Sequence, residues 1–135
     1  MPHIRVEYSA NLDDAIDVPR LLKALHGTAL ATGVFPVGGT RTRAIRVRDY
    51  RIADGDPENG FVHVTVQMGH GRDLETRKRV GQQLFDALTG ALDGVYAARP
   101  LGLSLEIQEL DPVLNYKKNN LHDYVATRQK SSAAE

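Results

Sequence analysis

From His3 to Ser9 apolar and polar residues alternate: Ile4, Val6 and Tyr8 fall on one parity, His3, Arg5 and Glu7 on the other. Period-2 alternation is the mark of a strand with one buried face. The same pattern returns from Phe61 to Gln67, with Val62, Val64 and Val66 set against His63, Thr65 and Gln67, and again from Leu101 to Leu110 through Leu103, Leu105 and Ile107. A further strand is expected from Thr40 to Arg51, where Arg41, Arg43, Arg46, Arg48 and Arg51 stand among β-branched residues. The arginine parity changes between Arg43 and Arg46, so either a bulge intervenes or the two groups point to opposite faces.

Between these strands the period lengthens. Val18, Leu21, Leu22, Leu25 and Ala29 recur at steps of three and four, with Pro19 tolerated in the first turn, and predict an amphipathic helix that ends near Gly33. Val80, Leu84, Leu88, Leu92 and Tyr96 predict a second helix, N-capped by Asp73 and weakened towards its end by Gly90 and Gly94. Phe35-Pro36-Val37-Gly38-Gly39 and Met68-Gly69-His70-Gly71-Arg72 read as turns, and 53–60 as a polar loop. After Leu110 the pattern fades. Leu121–Val125 allows one helical turn, and 127–135 is expected to form a flexible tail to a single domain spanning 1–126.

The order strand, helix, strand, strand, helix, strand is two β-α-β units in succession. The expected fold is therefore α+β, with a four-stranded mixed sheet and two helices packed on one face. Placing Ile4-Arg5-Val6 over Val62-His63-Val64 sets Pro2 over Gly60, so only the first copy carries a proline there. The opposite sheet face, with His3, Arg5, His63 and Thr65, is left for water or a partner, and sheets of this kind commonly close by symmetric oligomerisation.

Composition narrows the function. Lys plus Arg (17) equals Asp plus Glu (17), so no global basic field favours nucleic acid or an anionic membrane. The absence of cysteine removes disulfides and thiolate metal sites, and the histidines lack paired ligand spacing, so no metal is assigned. No apolar run approaches the roughly 20 residues of a membrane helix and no signal-peptide core opens the chain, which points to a cytoplasmic protein. Met1-Pro2 offers two readings. It is a stiff chain start, or, once Met1 is removed by an aminopeptidase that accepts small second residues, it is a secondary amine that serves as a base. Arg72, directly before the second helix, and Arg41, just after Gly38-Gly39, are the candidate anion-binding cations, with Arg43 in reserve.

Met1-Pro2-His3 opening a strand, Thr32-Gly33-Val34-Phe35-Pro36, Phe61-Val62-His63, Gly69-His70-Gly71-Arg72-Asp73-Leu74-Glu75, and Leu114-Asn115-Tyr116-Lys117 with Asn119-Asn120 occur in order across one short chain. In these pieces the chain resembles the tautomerase superfamily, and within it the 5-carboxymethyl-2-hydroxymuconate isomerase family, from Pro2 to about Tyr124. The resemblance implies a cofactor-free 1,3-allylic proton shift in a small polycarboxylate of aromatic (homoprotocatechuate) catabolism. It implies Pro2, Arg72 and Arg41 as catalytic residues, Arg43, Asn115 and Tyr116 as substrate contacts, and a homotrimer. Two rivals stand beside it: a tautomerase of the superfamily for another oxo-acid, and a non-catalytic oligomeric module that binds anions.

Overall fold

The computed structural model describes residues 1–134; Glu135, the end of the expected tail, lies outside the described residues. Four strands, β1 (His3–Ser9), β2 (Arg41–Val47), β3 (Gly60–Met68) and β4 (Leu101–Glu109), form one sheet in the order β2-β1-β3-β4. β1 and β2 run parallel, as do β3 and β4, while β1 and β3 are antiparallel. Each parallel pair is joined by a crossover helix, α1 (Val18–Ala31) or α2 (Leu74–Ala91). This is the mixed four-stranded architecture that the two alternating and helical repeats called for. In the antiparallel centre Val6 pairs with Val64, the very residues that align between the two sequence repeats, so an approximate dyad passes between them.

One face of the sheet makes the core. Ile4, Val6, Tyr8, Val62, Val64 and Val66 are buried there against Leu21, Leu25 and Ala29 of α1 and Val80, Leu84 and Leu88 of α2. Removing these apolar surfaces from water is the main force holding the two layers together. Both helices start at an aspartate cap, the expected Asp73, whose carboxylate accepts the Thr76 N–H at 2.7 Å, and Asp17, whose carboxylate accepts the Arg20 N–H at 3.1 Å. The opposite face carries His3, Arg5 and Glu7, with Arg43 and Thr65 in register beside Arg5.

Three differences from the expected elements have physical causes. β2 ends at Val47 rather than Arg51, because its partner β1 ends at Ser9 and turns into a short 3-10 segment at Ala10–Leu12, leaving Arg48–Arg51 nothing to pair with. There is no bulge in β2. The register with β1 is continuous, so Arg41 and Arg43 lie on the open face while Arg46 lies on the helix side, where its Nε donates to Asp13 Oδ2 at 2.7 Å. The second helix breaks at Leu92, between Gly90 and Gly94, into α2 and the short α3 (Asp93–Ala98). Finally, the single turn expected at Leu121–Val125 is the start of a longer helix, α4 (Leu121–Ala134), which packs against the turn at Val37–Gly39.

Leu84 is fully buried between the layers. Leu84→Ala is expected to lower stability by about 2–5 kcal/mol through lost burial and the cavity left behind. Urea unfolding should show this as a lower midpoint at unchanged slope.

Candidate active site

The parallel ladder between β1 and β2 reaches the chain start. The Arg41 N–H donates to the Pro2 carbonyl at 3.0 Å, extending the pairing of His3 with Arg41 by one more bond. Pro2 is buried, and its nitrogen is in amide linkage to Met1. The amino terminus is thereby held over the turn that leads into β2.

That turn is built on two glycines. A Cβ placed on Gly39 would sit 3.2 Å from Pro36 Cγ and 3.7 Å from Met1 Cα. One on Gly38 would meet the backbone N and Cα of His122, at the start of α4, at 2.8 Å. The second position tolerates no side chain unless α4 shifts. Asn119 reinforces the contact by donating from Nδ2 to the Gly38 carbonyl at 2.9 Å. Thr40 closes the turn from inside, its hydroxyl donating to the Pro36 carbonyl at 2.8 Å.

Two guanidinium groups are fixed beside this turn by backbone carbonyls. Arg41 Nη1 donates to Gly39 O at 2.9 Å. Arg72, at the entry to α2, donates to Val34 O at 3.1 Å and to Gly69 O at 3.3 Å, and its Cζ lies 5.4 Å from the centroid of buried Phe35. A guanidinium has five N–H donors, so these bonds orient each group without exhausting it. Among the described residues, Arg41, Arg72 and Lys117 form no ion pair with a carboxylate. Cations gathered without acidic partners make a place for an anion.

The field of this cluster is felt at the terminus. The Met1 ammonium titrates below the ordinary range of an α-amino group, first because it is partly buried and then because Lys117, Arg41 and Arg72 repel its charge. His3 is likewise held below the usual imidazole value, chiefly by burial and then by Arg43 and Arg41.

Of the residues singled out from sequence, Pro2, Arg41 and Arg72 therefore converge. Arg43 lies two residues along β2 on the same face as Arg41, exposed, with its Nη1 3.0 Å from His3 Nδ1. Asn115 and Tyr116 are exposed in the segment between β4 and α4; among the described residues they make no hydrogen bond to the cluster. Asn120 directly precedes α4, its carbonyl accepting the Tyr124 N–H. Sequence reasoning passed over Lys117, the Asn119–Gly38 bond and the Phe35 ring under Arg72. Lys117 stands in an aperiodic stretch, far along the chain from the residues it joins, and only the motif Leu114-Asn115-Tyr116-Lys117 marked it. A separate groove of about 730 Å³ between α2 and β4 is lined by Leu74, Phe85, Leu105 and Ile107 and contains none of the sequence candidates. Among the described residues no group of three or more histidines and carboxylates is placed to hold a metal ion, and no helix is long and apolar enough to cross a membrane.

With this geometry in view, comparison with known proteins is specific. The family model for 5-carboxymethyl-2-hydroxymuconate isomerase matches residues 2–125. A 5-carboxymethyl-2-hydroxymuconate Delta-isomerase of Escherichia coli is 41% identical over 122 residues, which span 90% of this chain and 97% of that protein. The crystal structure of a 5-carboxymethyl-2-hydroxymuconate isomerase from Deinococcus radiodurans R1 superposes with a TM-score of 0.86 at 42% identity, covering 92% of this chain and 93% of that one. The fold alone extends further: a fused 4-OT described as a symmetric trimer superposes with a TM-score of 0.60 at 19% identity, over 87% of this chain and 92% of that one.

Gly38→Ala should push the start of α4 off the turn, since the obstacle is His122 backbone rather than a flexible side-chain tip. Hydrogen exchange is expected to rise at residues 119–124 while the amides of β1 and β3 keep their protection.

Proposed function

The chain belongs to the 5-carboxymethyl-2-hydroxymuconate isomerase family, and from that premise we propose that it catalyses a 1,3-allylic proton shift in 5-carboxymethyl-2-hydroxymuconate with the nitrogen of Pro2 as base. The observation that carries the proposal is the convergence of the chain start with Arg41 and Arg72, neither of which has an acidic partner among the described residues. Removal of Met1 turns the Pro2 nitrogen into a secondary amine. Burial and the neighbouring cations that depress the Met1 ammonium act at that position too, and they favour a neutral amine able to accept a proton near pH 7.

In the proposed reaction the amine takes the proton of the 2-hydroxyl group. Electrons move through the diene as the enol becomes a ketone, and the resulting ammonium returns a proton to carbon, so the isomerisation balances without a co-reactant. Arg72 and Arg41 hold substrate carboxylates and stabilise the negative charge that develops on the oxygen. Arg43 extends the line of cations on the same sheet face, and Asn115 and Tyr116 contact substrate from the segment before α4. We further propose a homotrimer closed over the open sheet face, an assembly in keeping with the symmetric trimer of the fused 4-OT that shares the fold.

Mass spectrometry of the purified chain comes first: loss of Met1 is expected, and a retained Met1 leaves an amide with no base to offer. Pro2→Ala should lower turnover of 5-carboxymethyl-2-hydroxymuconate by about 10²–10⁴-fold, the range of a general base. Unchanged turnover would defeat the mechanism, and a processed chain that binds polycarboxylates but isomerises none would be the non-catalytic module. The pH profile has a definite sign. The base works unprotonated, so kcat/KM rises as pH rises through the amine pKa. Removing a repelling cation, as in Arg72→Ala, raises that pKa and moves the acid limb to higher pH.

A further inference from the structure

We propose that Lys117 is a substrate-binding residue that selects for a third carboxylate, and that Asn119 and Gly38 hold it in place. This rests on the isomerase reading above. A muconate skeleton is a diacid, and its carboxymethyl branch adds one more carboxylate. Arg41 and Arg72 supply two cations beside the chain start for three anionic groups, while Arg43 lies two residues further along β2 with its Nη1 against His3.

The third cation comes from a different part of the chain. Lys117 lies in the segment between β4 and α4, which is exposed from Asp111 to Lys118. This segment gains a fixed position at Asn119, which is bonded to the Gly38 carbonyl at 2.9 Å, and at His122, which rests on the bare Cα of Gly38. Gly38 is next to Gly39, where an added Cβ would come within 3.7 Å of Met1 Cα. The contacts therefore run unbroken from the amino terminus through the glycine turn to the residues flanking Lys117. The Lys117 charge reaches the terminal ammonium and repels it more strongly than Arg41 or Arg72 does.

The chemistry of the three groups divides in the same way as their positions. Arg41 and Arg72 are half-buried and oriented by carbonyls, which suits the planar, conjugated ends of a diene diacid. Lys117 is exposed, a point charge on a flexible stem, and suits a carboxylate carried on a freely rotating methylene. Its reach from the rim meets a branch, whereas the reacting dienol lies deeper against Pro2.

The test compares Lys117→Met and Lys117→Arg with the unmodified full chain on the alkaline plateau of the pH profile, where loss of a cation does not alter the charge of the amine. 5-Carboxymethyl-2-hydroxymuconate is the tricarboxylate, and 2-hydroxymuconate, used as substrate or as competitive inhibitor, is the dicarboxylate. Lys117→Met is expected to raise KM for the tricarboxylate about tenfold or more, the scale of one charge-assisted hydrogen bond, with kcat and the constants for the dicarboxylate within about twofold. Lys117→Arg should restore most of the difference. Equal losses on both compounds, or none on either, would overturn the selective role. If the unmodified protein turns over neither compound, the isomerase reading itself falls, an outcome distinct from any behaviour of the variants.

Discussion

A single backbone hydrogen bond, from the Arg41 N–H to the Pro2 carbonyl, ties the chain start to the sheet. Chain ends ordinarily fray because little holds them. Here the parallel ladder continues past the first side chain of β1, so the same bonding that builds the sheet also places the terminal nitrogen. β1 is a central strand, paired on both sides and packed beneath α1 and α2. The position of the proposed base is inherited from the most buried part of the molecule, and Arg41 is delivered beside it by the bond's other partner.

The remaining cations arrive by independent routes. Arg72 is set by the entry to α2, where the Asp73 cap fixes the first turn and the carbonyls of Val34 and Gly69 fix the guanidinium. Lys117 is set by the descent of the chain from β4 to α4 across Gly38. Three elements distant in sequence thus meet above one glycine turn, and their mutual repulsion is tolerated because each stays partly in water. The same charges that depress the terminal ammonium are the ones a polyanion bound at the proposed site would neutralise.

The parts of this structure that were legible in the sequence are those where one face is buried. Ile4-Val6-Tyr8 and Val62-Val64-Val66 alternate because the helices cover one side only, and Leu84 and Leu88 repeat because α2 lies on that side. Arg48 to Arg51 misled because strand-like composition does not encode where the partner strand stops. The extent of α4 beyond its first turn escaped because Leu121 and Tyr124 remain exposed, so no apolar stripe imposed a period on the sequence. Arg41 and Arg72 were visible through their adjoining glycine turns. Lys117 was not, since its place depends on a contact between residues 38 and 122 that no local pattern records.

The approximate dyad has a consequence for how the two halves have diverged. Gly60 occupies the position that Pro2 holds in the first half, but the far end of the sheet is filled: Leu12 is fully buried against Gly60, and Asn11 seals the neighbouring loop through the carbonyls of Pro57 and Asn59. A polypeptide begins only once, so when two such units are joined the second inherits the architecture without a free amine. Its junction is packed instead. Where the first unit presents the proposed base, the second spends the equivalent position on the interior, through Leu12 against Gly60.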